Sequence, residues 1–257
     1  MSLKTQFVAY RTIVRKETVR FMRIWMQTLV PPIIVHGLYF IIFGRFIGSQ
    51  IRPINDISYM AFIVPGIVMM AVINNSFANV VSSFFGNKFQ RSIEEILVSP
   101  TPNAVILAGY VTGGILRGLC VGVLVFSVSV FFTHPVIHHL GLILIFVLLT
   151  SLVFSLGGFL NAVFARSFDD VSIIPTFFLT PLIYLGGVFY SINELPPFWR
   201  AVSRFNPILY MVNGFRYGFY GFADVSVQSS LSILLSFAAA LILINLVLLQ
   251  KGTGLKT

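Results

Sequence analysis

The sequence predicts an all-α integral membrane protein with six transmembrane helices, an N-terminal amphipathic interface helix and an outer re-entrant helical hairpin. Three observations support this fold class. Hydrophobic residues make up 57% of the chain and charged residues only 10%, whereas soluble proteins average about 25% charged residues. The mean hydropathy is +0.92. Uncharged apolar segments of about 20 residues, the length that a bilayer requires, recur along the chain.

Residues 1–23 are predicted to form a cytoplasmic amphipathic interface helix. Apolar side chains recur near one helical face and basic side chains gather on another. The apolar set is Phe7, Tyr10, Val14 and Phe21, and the basic set is Lys4, Arg11, Arg15 and Arg20. Such a helix lies in the headgroup plane of the bilayer with its basic side toward anionic lipid. A plain cytosolic helix or a frayed tail is the alternative.

The membrane bundle is predicted over residues 24–250. Its six spans are residues 26–46, 60–84, 105–132, 140–164, 171–190 and 229–249. His36 in the first span is interpreted as a neutral packing residue. Asn74, Asn75 and Asn79 in the second span are expected to form hydrogen bonds with other helices, because lipid offers them no partner. A role of these amides in substrate binding is the alternative.

The third span carries two features that lipid does not favour. Gly114, Gly118 and Gly122 form a stripe that allows a neighbouring helix to approach closely. Arg117 lies on the same helix, and an arginine near the bilayer centre costs roughly 2.5 to 3.5 kcal/mol on insertion scales. We therefore expect Arg117 to face protein, water or a partner, or to snorkel to the inner interface.

A polar segment, residues 86–103, separates the second and third spans. Its four charges lie within eight positions, at Lys88, Arg91, Glu94 and Glu95. Ser92 and Glu95 have the spacing of a capping box. An apolar helical face follows, formed by Ile93, Ile96 and Leu97, and Pro100 and Pro102 end the helix. We interpret the segment as a capped amphipathic helix that docks a soluble partner, with a solvated turn as the alternative.

Residues 191–228 are too polar for an ordinary span and too apolar for a free loop. We expect two half-helices that dip into the outer membrane interface, with aromatic side chains at the level of the headgroups. The residues that support this interpretation are Pro196, Pro197, Asn206, Pro207, Tyr210 and Arg216.

A separate turn carries three histidines, His134, His138 and His139. Because the turn contains neither carboxylate nor cysteine, we interpret it as structural, and a metal site is the alternative.

The distribution of Lys and Arg predicts that both termini and the 86–103 segment face the cytoplasm, because cytoplasmic loops carry an excess of basic residues. One side of the six-span arrangement holds eleven: Lys4, Arg11, Arg15, Lys16, Arg20, Arg23, Lys88, Arg91, Arg166, Lys251 and Lys256. The other side holds five: Arg45, Arg52, Arg200, Arg204 and Arg216. Residues 251–257 then form a cytoplasmic tail.

The motifs of several function classes are missing. The net charge is +9. In a membrane protein, excess Lys and Arg determines which loops face the cytoplasm and binds anionic lipid headgroups, so we do not expect nucleic acid as a partner. The sequence contains no G-x-x-x-x-G-K-[ST], G-x-S-x-G or H-E-x-x-H motif. All eight acidic residues are expected near loops or helix ends, which disfavours a proton-coupled carrier. We expect no catalytic, metal or cofactor site in this chain.

The chain resembles the ATP-binding-cassette type-2 permeases. The resemblance rests on Ser92–Pro100 followed by a Gly-rich span with Arg117, and on the motifs beginning at Leu195, Asn206 and Gly214. It implies the membrane half of an exporter in the bacterial inner membrane, in which two copies pair with two separately encoded ATPase subunits. ATP and Mg²⁺ would then be bound by the partner. Residues 88–97 would form the coupling helix and residues 3–23 the connecting helix. The implied cargo is amphipathic and unidentified.

Two other functions stay open at this point: a secondary carrier, and a membrane scaffold subunit without transport. The neighbouring reading frame distinguishes them, because a phosphate-loop ATPase encoded beside this gene favours the exporter.

Overall fold

A computed structural model of the chain describes residues 2–54 and 57–254, and the named elements within these ranges are all helical. This confirms the all-α class. The long helices are α1 (Leu3–Arg23), α4 (Tyr59–Phe89), α6 (Asn103–Ser129), α7 (Leu140–Phe164) and α12 (Val227–Lys251). The shorter helices are α2 (Trp25–Thr28), α3 (Val30–Tyr39), α5 (Ser92–Val98), α8 (Phe168–Ile173), α9 (Thr180–Tyr184), α10 (Pro197–Arg204) and α11 (Pro207–Tyr220). π-Helical turns occupy Phe40–Ile47 and Ile174–Leu179, and 3₁₀ turns occupy Gly48–Gln50 and Ile192–Glu194.

Five helical stretches in the described residues are long and apolar enough to cross a membrane. They are Trp25–Gln50, Tyr59–Phe89, Asn103–Ser129, Leu140–Phe164 and Val227–Lys251. The predicted fifth span, 171–190, overlaps instead a helical segment over residues 168–184 that is divided into α8, a π-helical turn and α9. At 1.5 Å per residue this segment is about 25 Å long, shorter than the roughly 30 Å hydrocarbon core of a bilayer.

Helix α4 forms the centre of the bundle. Its sequence is apolar on all sides, which is typical of a helix surrounded by protein, and 89% of its most apolar window is buried. Helices α6, α7 and α11 surround it. The first span and α12 are each only 17% buried in the corresponding window. These two helices therefore present most of their apolar surface to the surroundings of the chain.

The glycine stripe of α6 lies directly against α4. A methyl group built on Gly118 would overlap the hydroxyl of Ser76, and one built on Gly122 would lie 2.7 Å from Val72 Cγ2. A methyl group on Gly114 would lie 3.0 Å from the Ser76 carbonyl oxygen. Because these neighbours include the α4 backbone, the glycines set the distance between the two helices.

We expect Gly118→Leu to prevent assembly of the bundle, since a leucine forces α6 away from α4 and overpacking costs about 1 to 3 kcal/mol or more. Membrane insertion should be unaffected, because the substitution makes the span more apolar. The measurement is the yield of monodisperse protein by size exclusion against the total membrane-inserted protein. Gly141→Leu is the matched control, since a methyl group there meets nothing within 4 Å. Equal monodisperse yields for the two variants would contradict the packing role.

The segment over residues 191–228, which we call the outer segment after its predicted location, is folded against the bundle by specific polar contacts. Asn206 caps α11 by accepting from the Ile208 N–H at 3.0 Å, and its amide donates to the Leu182 carbonyl oxygen at 2.6 Å. Pro207 suits the first helical position, where its missing N–H costs nothing. Arg216 is 2% exposed; its guanidinium carbon lies 3.9 Å from the centre of the Phe62 ring, and the guanidinium donates to the Gly187 carbonyl at 2.7 Å.

The other predicted residues of this segment have separate structural roles. Pro196 precedes α10 and Pro197 is its first residue. The Tyr210 hydroxyl donates to the Arg204 carbonyl at 2.7 Å, which joins α11 to the end of α10. Helix α10 exposes Phe198, Trp199 and Val202. The segment therefore consists of two packed helices, one of which presents an apolar surface outward.

Candidate functional site

Three long helices end together at one end of the bundle, which we call the α5 end. Helices α4, α7 and α12 terminate there, and α5 follows α4 directly. The carbonyl ends of helices carry partial negative charge, which basic side chains stabilise. The basic residues at this end are Lys88, Arg91, Arg166 and Lys251. Part of the positive charge at this end therefore stabilises the carbonyl ends of the chain's own helices.

Lys88 shows this role directly. Its side chain is 8% exposed, and its ammonium group donates to the carbonyl oxygens of Val163 at 2.7 Å and Ala165 at 2.8 Å. These are the last carbonyls of α7, which have no partner within that helix. The interpretation of Lys88 as a charge offered to a partner protein is therefore corrected: Lys88 fastens the end of α4 to the end of α7.

The capping box predicted at Ser92 and Glu95 is wrong. Helix α5 begins at Ser92, and Arg91 occupies the position before it with φ at 59° in the left-handed region. The Ser92 hydroxyl donates back to the Asn87 carbonyl oxygen at 3.2 Å instead of accepting from Glu95. Because the left-handed Arg91 takes the cap position, the helix begins one residue earlier than the spacing indicated, and Ser92 is its first residue instead of its cap. Pro100 and Pro102 follow the end of α5, as expected.

A capping box does occur, at the start of α8. The Ser167 hydroxyl accepts from the Asp170 N–H at 3.1 Å, and the Asp170 carboxylate accepts from the N–H groups of Arg166 at 2.8 Å and Ser167 at 3.2 Å. The hydrogen bond from the Arg166 backbone holds the pKa of the Asp170 carboxyl below its usual range. The spacing Ser167-x-x-Asp170 is visible in the sequence and was the signal that could have identified it.

The apolar face of α5 is used within the chain. Ile93 is 1% exposed and Ile96 is partly buried against the hydrophobic core. The side chain of Leu97 lies outside the described part of the structure. The prediction that Ile93 fills a groove of a partner is therefore corrected, because this buried side chain holds α5 on the bundle. For Ile96, which stays partly exposed, contact with a partner remains a prediction. The sequence pattern revealed an apolar face but not which surface covers it.

A different set of side chains remains accessible around α5. Val98 is 87% exposed and Phe89 is 62% exposed, and Arg91, Glu94 and Glu95 are also exposed. We call these five residues the α5 surface. Large apolar side chains between charged ones are typical of protein interaction sites. Sequence reasoning identified the three charged members and missed Phe89 and Val98.

A hollow of about 720 Å³ lies beside the α5 surface. The ends of α4 and α7 form its walls together with the residues after α12; the lining comprises Phe85, Lys88, Phe89, Arg91, Val163, Phe164, Arg166, Thr253 and Gly254. Its character is apolar and basic. The hollow and the α5 surface share Phe89 and Arg91, so one ligand or partner can contact both.

Helix α1 joins the bundle through a buried polar cluster. Glu17 is fully buried, and its carboxylate accepts from the Ser83 hydroxyl at 2.6 Å and from the Arg20 guanidinium at 3.2 Å. Arg20 also donates to the carbonyl and side-chain oxygens of Asn79, both at 2.9 Å. The expectation that all acidic residues lie near loops or helix ends is thus wrong for Glu17, because α1 folds back against α4 and α6.

Arg117 is enclosed by protein. Its guanidinium donates to the Asn75 side-chain oxygen at 3.2 Å and to the carbonyl oxygen of Thr28 at 3.4 Å. Thr28 is the last residue of α2, so its carbonyl is a helix end. Arg117 therefore connects α6 with α4 and with the break between α2 and α3.

We expect Arg117→Leu to lower the thermal stability of the bundle, although leucine is the better residue in lipid. Hydrogen bonds to a charged group contribute about 1.5 to 3 kcal/mol, and they exist only in the assembled state. Arg117→Lys should recover part of the loss, since lysine keeps the charge without the planar guanidinium. The measurement is the melting temperature in detergent, with the exposed Arg45→Leu as control. A leucine variant that melts with the parent would show that these hydrogen bonds contribute nothing net.

The three histidines of the outer turn do not form a metal site in the described residues, where no group of three or more His, Cys, Asp or Glu is placed to hold an ion. The backbone N–H groups of His138 and His139 both donate to the Gly218 carbonyl oxygen, at 3.0 and 2.7 Å. The His139 ring stacks on Tyr217 with 5.7 Å between ring centres. The turn thus contacts α11.

Comparison with known proteins gives two kinds of match. The family model described as ABC-2 type transporter matches residues 8–220. The inner membrane transport permease YadH of Escherichia coli K12 is 56% identical over 251 residues, which cover 98% of both chains. Nodulation protein J of Rhizobium meliloti is 24% identical over 225 residues, which cover 83% of this chain and 82% of the relative. The range matched by the family model includes α5, α10 and α11.

Proposed function

Since the chain belongs to the ABC-2 type transporter family, a family of membrane transport subunits, we propose that it is the permease subunit of an exporter driven by ATP hydrolysis in a separate protein. The chain itself contains no phosphate-binding loop, so the energy must enter through a contact with that partner. The observation that carries the proposal is the α5 surface, a group of exposed apolar and charged side chains on a helix that is firmly attached to the bundle.

The attachment of α5 explains how a partner would transmit force. Ile93 is buried in the core, and the Ser92 hydroxyl is bonded to Asn87 near the end of α4. A displacement of α5 therefore moves the end of α4, and α4 is the central helix of the bundle. We propose that closure of two ATPase subunits on ATP and Mg²⁺ displaces α5 in two permease copies. The bundles would then alternate between inward- and outward-facing states.

The remaining features of the assembly are part of the same proposal. Residues 171–190 complete six spans, α1 lies at the membrane interface, α10 and α11 form the outer re-entrant hairpin, and both termini face the cytoplasm of a bacterial inner membrane. The first span is little buried within the chain, and Phe177 and Phe178 are exposed. These exposed apolar surfaces support the proposal that lipid and a second copy of the permease pack against them. The cargo is proposed to be amphipathic.

Reconstitution tests this function. The permease is co-expressed and purified with a candidate phosphate-loop ATPase from the same organism, and ATP turnover in liposomes is compared with that of the ATPase alone. We expect a stable complex with raised turnover. A permease that binds no ATPase but transports in response to a proton gradient is a secondary carrier, and one that does neither is a scaffold; both results contradict the proposal.

A further inference from the structure

A small hollow lies between the first span, α4 and α9, at the depth of the bilayer centre in the proposed arrangement. Its volume is about 130 Å³, and its polar lining residues are His36, Tyr39, Asn74, Thr180 and Tyr184. Asn74 is the middle residue of α4, equally far from Tyr59 and Phe89. Five polar side chains around one hollow at this depth are unusual, because lipid tails cannot form hydrogen bonds with them.

His36 contributes an unpaired acceptor to this hollow. The residue is only 5% exposed, and its Nδ1 lies 2.6 Å from the Pro32 carbonyl oxygen. A carbonyl oxygen only accepts, so Nδ1 carries the proton and Nε2 bears a lone pair. Nε2 is buried and has no hydrogen-bond partner among the described residues. A buried polar atom without a partner is costly, which indicates that a ligand or water completes the site.

The other polar groups offer both acceptors and donors. The Thr180 hydroxyl donates to the Pro175 carbonyl at 2.9 Å, so its proton is used and its lone pairs remain. The hydroxyls of Tyr39 and Tyr184 lie 3.2 Å apart and share one hydrogen bond, which leaves one of their two protons as a donor. Asn74 is half-buried, and its amide supplies an acceptor oxygen and N–H donors. A group that both donates and accepts hydrogen bonds, as a hydroxyl does, therefore fits this lining best.

The charges around the hollow restrict the ligand further. The lining contains no carboxylate to balance a cation, and the Arg117 guanidinium is bonded to Asn75, the neighbour of Asn74. An anion would oppose the lone pairs of His36 and Thr180. The rings of Tyr39 and Tyr184 pack beside Phe189, with ring centres 6.1 and 5.9 Å from it, and offer an apolar face. A neutral hydroxyl-bearing group, such as a sugar or polyol, matches both properties.

We propose that this hollow binds a neutral hydroxyl-bearing part of the transported molecule, with His36 Nε2 as the acceptor that selects it. This inference rests on the proposed function, since it names the class of cargo that the permease would move. Asn74 and the hydroxyls of Tyr184 and Thr180 complete the site.

The test uses ¹⁵N-histidine in the full chain reconstituted in bilayers. The chain has four histidines, and His36→Gln assigns the signal of His36. Hexyl glucoside is added below its micelle-forming concentration, with hexyltrimethylammonium and hexyl sulfate as charged controls of equal chain length. We expect a saturable shift of the His36 Nε2 resonance with the glucoside alone. Asn74→Ala and Tyr184→Phe should weaken it roughly three- to tenfold, the effect of one hydrogen bond.

Other outcomes overturn the inference. An equal shift with a charged probe contradicts selection for neutral hydroxyls. A His36 Nε2 that is already hydrogen-bonded and unaffected by the glucoside shows that water fills the hollow. Should His36→Gln not fold, replacing the three outer histidines assigns the signal by elimination. Because the measurement needs neither ATP nor a partner, glucoside binding without ATPase coupling contradicts only the proposed function. ATP-driven transport without glucoside binding contradicts only this inference.

Discussion

Val98→Asp and Phe89→Asp, alone and combined, are expected to leave the permease folded but unable to retain its ATPase. Val98 is 87% exposed and Phe89 62% exposed, so neither residue is needed to bury the core. If they are the apolar anchors of the docking contact, each loss should cost about 2 kcal/mol, or about thirtyfold in affinity. The double variant should then lose measurable binding. The measurement is co-purification with the ATPase, followed by ATP turnover in lipid.

Val136→Asp is the matched control for this experiment, because Val136 is also exposed, at 61%, but lies in the turn between α6 and α7 at the other end of the bundle. It should retain the ATPase. Phe89 also contacts Phe168, with 4.9 Å between ring centres, so the Phe89 variant needs a melting curve as well. Normal ATPase retention by the folded double variant would show that the partner docks elsewhere.

Ile96→Asp is a less clear test of docking than Val98→Asp. Ile96 is partly buried against the core, and aspartate there would separate α5 from α4 whether or not a partner binds. Ser92→Ala should have a small effect on docking, of about 1 kcal/mol, because it removes the hydrogen bond to Asn87 and no helix cap.

Glu17→Ala is expected to cause a large loss of stability. It removes the carboxylate from the fully buried site and leaves the Arg20 guanidinium without its counter-charge. Breaking a buried ion pair costs about 3 to 5 kcal/mol, and the 30% exposure of the Arg20 side chain reduces this to about 2 to 3 kcal/mol. The measurement is the melting temperature, together with protease cleavage between α1 and α2.

Two further variants distinguish the roles of this carboxylate. Glu94→Ala, on the exposed side of α5, is the control and should melt with the parent. Glu17→Gln keeps the shape and should lie between the parent and Glu17→Ala in stability. A Glu17→Gln variant that is fully stable yet inactive in transport would instead indicate proton coupling. A Glu17→Ala variant as stable as the parent would remove the structural role altogether.

The helical framework could be predicted from the sequence because a lipid bilayer allows few other structures for an apolar segment. Runs of about 20 apolar residues have few alternatives to a spanning helix. The predicted fourth span, 140–164, has the bounds of α7, and the predicted second span, 60–84, lies within α4. The division of residues 168–184 into α8, a π-helical turn and α9 was not predicted, because hydropathy does not register how Pro175 and Pro181 interrupt the hydrogen bonding of a helix.

The errors at the site share another cause. Residue spacing identifies a face or a cap but not its surroundings. Ile93 and Ile96 form an apolar face whether a partner or the same chain covers it, and only the fold decides. Glu17 looked solvated because it is close to the N-terminus, but α1 packs along α6, where Gly113 leaves room for it. The local conformation of Arg91 likewise depends on the turn between two packed helices.

The central position of α4 has a consequence for biosynthesis. The helix leaves the ribosome before α6, α7 and α11, which later surround it. During that interval Asn75 lacks the arginine of α6, and Asn79 lacks the final packing that encloses it, so the nascent intermediate carries polar amides in lipid. Such partly assembled species are prone to misassembly and recognition by chaperones and proteases. We expect chains truncated before α6 to be degraded faster than chains truncated after α7, which a pulse-chase comparison would measure.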